Sequence, residues 1–346
     1  MAGSLIAGEY TGPPALTLST AVTSWTLDLP VLVAVLVAAG LYLAGMRRVH
    51  RAGDLSPPTP GDGSAAALPP PWPAARAVAF LAGGTGAVVL ATMSFLGVYQ
   101  GVLFSVRAVQ NVLLLLVAPL FLALGRPLTL LIAARPRLGA RAEAAVHSRA
   151  ARILTFPAIT AMVLIVVPFV LYFTPWYEAG LRNDLVRELT YAALMLPGLV
   201  FFWTLLRVDP VPTAYPYLVS LWVTGAEVVG DAVLGLAIIA DEHLIAGSYY
   251  QALGRPWGPS LRADQVIGGG ALWILGDLVG LPFLAAQLIQ MIREDEQEAA
   301  QVDAELDASD AAAQQAGAAP AATAGSQPWW QNDPRFTGRF RRPGQD

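Results

Sequence analysis

Apolar residues fall into long uninterrupted stretches, with polar residues gathered between them or at their ends. The stretches run at about Leu29 to Met46, Arg76 to Leu96, Leu103 to Pro127, Ile153 to Phe173, Asp184 to Leu206, Tyr217 to Ile239 and Asp264 to Ile292. Crossing roughly 30 Å of hydrocarbon takes about 20 apolar residues in a helix rising 1.5 Å per residue. Each stretch meets that length or comes near it, so the pattern predicts an all-α integral membrane protein, a bundle of seven transmembrane helices. The third stretch, LFSVRAVQNVLLLLVAPLFLALGRP, is the one around which the rest is organised. It is almost purely apolar from Val112 to Gly125, yet its opening turns carry Arg107, Gln110 and Asn111 on one helical face. Polar groups are costly in lipid, which places this helix in the interior with a polar site at its mouth.

Composition agrees with the pattern. Hydrophobic residues make up 55% and charged residues only 13%, about half the share usual in soluble domains. All basic residues are arginine, and with the abundant Ala, Gly and Pro this reads as a GC-rich genome. The absence of cysteine excludes disulfides, thiolate metal sites and thiol catalysis. Three histidines (His50, His147 and His243) are too few for a His-rich metal centre. No basic n-region precedes the first apolar run, so a cleaved signal peptide is not expected.

Arginine bias sets the expected orientation. Arg47, Arg48 and Arg51 follow the first stretch, Arg126, Arg135, Arg137, Arg141, Arg149 and Arg152 the third, and Arg207 the fifth, against Arg182, Arg255 and Arg262 on the opposite side. This puts the N-terminus outside and the C-terminus in the cytoplasm. The expected organisation is an extracytoplasmic extension over 1–23, a membrane domain over 24–292 and a disordered cytoplasmic tail over 293–346. Within the membrane domain, 52–74 is a Pro/Gly-rich cytoplasmic linker and 126–152 a basic cytoplasmic loop. The tail ends in PWWQNDPRFTGRFRR, whose aromatic and basic residues could touch lipid headgroups or a partner.

With that orientation, the polar residues within the helices converge on an outward-facing cavity. Arg107, Gln110 and Asn111 lie in the third helix, Arg187 and Tyr191 in the fifth, and Glu227 and Asp231, at i and i+4, in the sixth. Asp28, Asp264 and Gln265 stand at the outer starts of the first and seventh helices, where helix capping explains them as well as function does. An unpaired buried charge is strongly unfavourable, so Arg107 or Arg187 is expected to pair with Glu227 or Asp231. Gly268-Gly269-Gly270 reads as close helix packing. Asp241-Glu242-His243 is a weak divalent-metal candidate, because three consecutive residues converge poorly on one ion. No Walker motif, GxSxG or HExxH occurs, the methionines show no MxxM relay, and no nucleophile–base pair supports an enzyme. Nothing suggests a nucleic acid partner.

Several motifs, in order, resemble the bacterial CtaG-type cytochrome c oxidase assembly factors over residues 20–290. They are Trp25 with Asp28, Tyr42-Leu43-Ala44-Gly45, Trp72-Pro73 with Arg76 and Phe80, and the 103–127 stretch. Tyr172-Phe173-Thr174, Phe201-Phe202-Trp203, Asp209-Pro210-Val211-Pro212, Asp264-Gln265, Gly268-Gly269 and Trp273 follow. The resemblance implies a seven-helix protein of the cell membrane that works in copper supply to an oxidase, with oxidase subunits or a copper chaperone as partners beside the lipid bilayer. It also implies membrane histidines as copper ligands. This chain has Arg107 and Asn111 where the family has a histidine pair, and Arg187 and Tyr191 where it tends to carry histidine. Arginine has no free lone pair for a metal. The expectation is therefore an assembly factor without a bound cofactor, its copper site degenerate and replaced by an ion-paired cavity. The alternative is a small-solute, proton or ion transporter using the buried charges, although no inverted repeat is evident.

Overall fold

The computed structural model describes residues 10–54, 72–213 and 215–315, and all regular structure among them is helical. The helices are α1 (Leu18–Thr23), α2 (Leu29–Asp54), α3 (Ala74–Tyr99) and α4, continuous through Phe104–Val112, Leu113–Val117 and Ala118–Leu124. Next come α5 (Pro127–Ala134), α6 (Pro136–Val146), α7 (Arg149–Leu154), α8 (Pro157–Phe173) and α9 (Trp176–Arg182). The last four are α10 (Asp184–Leu206), α11 (Tyr217–Ala240), α12 (Gly247–Leu253) and α13 (Leu261–Gln315). Among the described residues, six helices are long and apolar enough to cross a bilayer, and α8 and α9 reach that length only together, as a pair bent by 67°. This is a multi-pass membrane protein.

Pro175 causes the bend. Proline has no N–H to continue the ladder of α8, and the Thr174 hydroxyl turns back to the Val170 carbonyl at 2.7 Å. Residues 126–152, expected as a loop, instead fold into α5, α6 and α7. Proline at the first turn of α5 and α6 has the right φ and no orphan N–H, and Ser148 caps α7 through the Ala151 N–H at 3.2 Å.

The chain comprises two compact units, Met1–Gln287 and Leu288–Asp346. In the first unit, α4 is the centre: 61% of its apolar run is buried, against 11% for the peripheral α2. Small residues bring neighbouring backbones close to α4. A Cβ on Gly198 of α10 would collide with the Leu115 carbonyl oxygen. The outward faces stay apolar, with Leu36, Val37, Val166, Val170, Leu189, Leu196, Val229, Val233, Ile274 and Leu278 exposed. That inversion of the soluble pattern is what lipid as solvent requires.

In the second unit, residues 293–315 are helical, whereas the sequence suggests disorder from 293 onward. The segment is rich in Ala, Glu and Gln, all strong helix formers, so local propensity suffices without a buried face. Residues 316–346, which hold the aromatic and basic end of the tail, lie outside the described residues, as do 1–9 of the N-terminal extension and 55–71 of the Pro/Gly-rich linker.

Candidate functional site

The polar residues of the spans gather in three neighbourhoods of the first unit rather than one cavity. The first is a cleft of about 420 Å³ lined by Asp28, Gln100, Asp184, Arg187 and Glu188 among others. Asp28 receives the Val31 N–H at 3.3 Å and so caps α2. Arg187 is held by acids of its own helix: Nη1 reaches Asp184 Oδ1 at 2.6 Å and Nη2 reaches Glu188 Oε1 at 3.5 Å. A chain of side chains leads inward from the cleft. Tyr191 donates to Gln100 Oε1 at 2.8 Å, and Gln110 Nε2 donates to the Ala91 carbonyl at 2.8 Å and to the Tyr191 oxygen at 3.5 Å.

The second neighbourhood surrounds Arg107, whose side chain is sealed inside the bundle at 1% exposure. Among the described residues it makes no hydrogen bond and no ion pair, and its Nε is buried without a partner. Its guanidinium carbon lies 5.2 Å from the Tyr177 ring centre, a cation–π contact, and it acts electrostatically on Tyr172, Tyr177, Tyr191 and Tyr250. The Tyr177 and Tyr250 hydroxyls bond to each other at 2.9 Å, and Asn111 Nδ2 donates to the Tyr172 oxygen at 2.8 Å. Burial pushes the Tyr250 phenol above its ordinary range, so it remains a neutral hydrogen-bonding group on α12.

The third neighbourhood holds Glu227 and Asp231, adjacent on α11 and facing Asp277 of α13. One Asp277 oxygen is buried without a partner. Neither arginine reaches these acids, so the pairing expected from the sequence does not form. Helical rise gives the reason. Asp231 lies roughly 14 Å into α11 from its Ala240 end, whereas Arg107 lies roughly 5 Å into α4 from Phe104. A small, mostly apolar cavity of about 10 Å³, with Asn111, Tyr172 and Asp231 in its wall, lies between the second and third groups.

Asp264 and Gln265 organise the backbone. Asp264 accepts the N–H groups of Phe104 and Ser105 at 2.9 and 3.1 Å and the Ser105 hydroxyl at 2.5 Å, which caps α4. Gln265 accepts the Ile245 N–H at 2.9 Å and donates to the His243 carbonyl at 3.0 Å. Sequence reasoning does not single out Asp209 for this work. It caps α5 in the same way, through the Leu128 and Thr129 N–H groups at 3.1 and 2.9 Å and the Thr129 hydroxyl. Sequence reasoning also passes over Tyr177 and Tyr250, because a tyrosine in an extramembrane segment carries no signal of its own.

The donor set around Arg107 does not fit a copper ion. Its tyrosines and asparagine are neutral oxygen and amide groups, and arginine offers no lone pair. Among the described residues no group of three or more His, Cys, Asp or Glu could hold a metal. His50 and His147 lie exposed, while His243 hydrogen-bonds Asp241 in a surface turn.

Residues 40–294 match the family model of the cytochrome c oxidase caa3 assembly factors. The chain belongs to that family. It is similar to uncharacterized proteins of Mycobacterium bovis and Mycobacterium tuberculosis, each 29% identical over 86% of this chain, and of Mycobacterium leprae, 28% identical over 82%. The chain spans 42–44% of the length of these curated relatives. No solved structure matches it. The matched segment contains all three polar neighbourhoods except Asp28, and both aspartate caps of α4 and α5.

Proposed function

We propose that the protein assists the biogenesis of a cytochrome c oxidase in the bacterial plasma membrane, within the copper-supply pathway, and that it does so without catalysis and without carrying copper on α4. The observation that carries this reading is the family match over the membrane bundle combined with a buried arginine where a family histidine is expected. Family membership supports the pathway. The chemistry of Arg107 argues against a metal ligand, which makes the copper site degenerate and leaves a scaffolding or handover role toward an oxidase subunit or a copper chaperone. The arginine bias of the connecting segments favours a cleft on the extracytoplasmic side.

The test is a deletion strain, assayed for terminal oxidase activity and the haem a absorbance band in its membranes, with and without added copper. Loss of both signals, restored by copper, supports the supply role. Loss that copper leaves unrepaired supports assembly but places the step outside copper supply. An unchanged oxidase overturns the reading.

A further inference from the structure

Arg107 sits in a cage with donors to spare and no acceptor for them. Its Nε is buried and unpartnered. Tyr172 already accepts from Asn111, and its own hydroxyl proton has no acceptor among the described residues. Tyr177 and Tyr250 share one hydrogen bond, so one of their two protons is also left over. The acid that acts on Tyr250 is Asp264, already occupied by the backbone of Phe104 and Ser105 and lying 3.7 Å from Arg255. A desolvated cation without an anion is strongly unfavourable, and spare donors around it are what an incoming oxyanion would satisfy.

The cage also has a cover. Helix α9 crosses above Arg107 after the bend at Pro175 and places Tyr177 against the guanidinium. Gly180 of α9 comes so near that a Cβ there would lie 2.9 Å from Nη2. Tyr177 packs in the main core against the rings of Phe104 and Tyr172, and Arg182 lies 5.4 Å from the Tyr249 ring centre. Tyr177 bonds Tyr250, Glu178 accepts the Ser248 hydroxyl at 2.8 Å, and Trp176 Nε1 donates to Thr190 at 2.9 Å.

We propose that Arg107 is the receptor for a single carboxylate, bound beneath α9 by the guanidinium fork and the tyrosine hydroxyls around it. The planar fork matches a carboxylate with two parallel hydrogen bonds. One buried positive charge is balanced by a monoanion, whereas a phosphate dianion would leave a net charge in the cage. The carboxylate can belong to a free small acid or to an acidic polypeptide side chain.

The experiment is a thermal melt of the purified full chain in detergent or nanodiscs, titrated with acetate, with its neutral counterpart acetamide, and with N-acetyl-aspartic acid amide. Wild type is expected to melt at higher temperature with acetate, saturably, and to ignore acetamide. Arg107→Gln should lose the response, and Gly180→Ala, which crowds Nη2, should weaken it. Arg107→Lys keeps the charge but loses the fork, and a diminished response there supports the proposal even where the glutamine variant fails to fold. Tighter binding of the aspartate compound than of acetate assigns the carboxylate to a polypeptide, and equal or weaker binding assigns it to a free acid. No acetate shift in wild type, an equal shift with acetamide, or an undiminished shift in the folded Arg107 variants overturns the proposal.

Discussion

Asp264 accepts the backbone N–H of Phe104 at 2.9 Å, across 160 residues of sequence. Together with Asp209, it fixes both the start of α4 and the start of the helix that follows it. Orphan N–H groups at a helix start must find acceptors, and in each case an aspartate from a distant segment supplies both carboxylate oxygens to two successive amides.

Replacing Asp264 by alanine removes three hydrogen bonds and takes the acid away from Arg255, both side chains being buried. A cap is worth about 1 kcal/mol and breaking a buried charge pair about 3–5 kcal/mol. Unfolding of the purified protein by denaturant should show a loss toward the upper part of that range. Asp264→Asn, able to accept only through one oxygen, should fall between.

Asp209→Ala should cost less, about 1–2 kcal/mol, because it caps the short α5 and makes no ion pair among the described residues. Its signature is local. Hydrogen exchange should speed up at the Leu128 and Thr129 amides, which lose their acceptor, while the melting of the bundle shifts little.

Helix packing predicts a contrast within one glycine run. A Cβ on Gly269 would lie 2.9 Å from the Gly235 carbonyl oxygen, whereas nothing stands within 4 Å of one on Gly270. Gly269→Ala should therefore destabilise the protein by about 1–3 kcal/mol, the usual cost of overpacking, while Gly270→Ala should be close to neutral. Equal effects at the two positions in thermal melts would contradict the close approach of α11 and α13. Gly198→Ala should be more damaging than either, since its Cβ would run into the α4 backbone at Leu115.

Arg187 and Asp184 make a short contact, 2.6 Å, but the aspartate side chain is 89% exposed. A double-mutant cycle should return a coupling below about 1 kcal/mol, and added salt should shrink it further. A large, salt-independent coupling would mean that the cleft excludes water.

Much of the chain is legible before folding. Apolar runs of bilayer length specify spanning helices because each helix satisfies its own backbone, independently of its neighbours. The interior place of the third stretch is legible too, since Arg107, Gln110 and Asn111 on one face could not meet lipid. So is the close packing at Gly269. The helix over 293–315 escapes a reading by hydrophobicity, because Ala, Glu and Gln favour a helix whether or not a face is buried. The helices of 126–152 escape it because a run of arginines has the look of a solvated loop. Their starts are marked only by Pro127, Pro136 and Ser148.

Sequence alone determined the class of fold, the places of the long apolar stretches and the kind of residue that lines the interior. Only the tertiary structure decided the partners. Depth along a helix can be counted from the sequence, but the rotation and vertical offset between two helices depend on packing, and an ion pair requires both. That is why Arg187 meets Asp184 on its own helix, why Glu227 and Asp231 face Asp277, and why Arg107 ends among tyrosines from four other helices with no acid paired to it among the described residues.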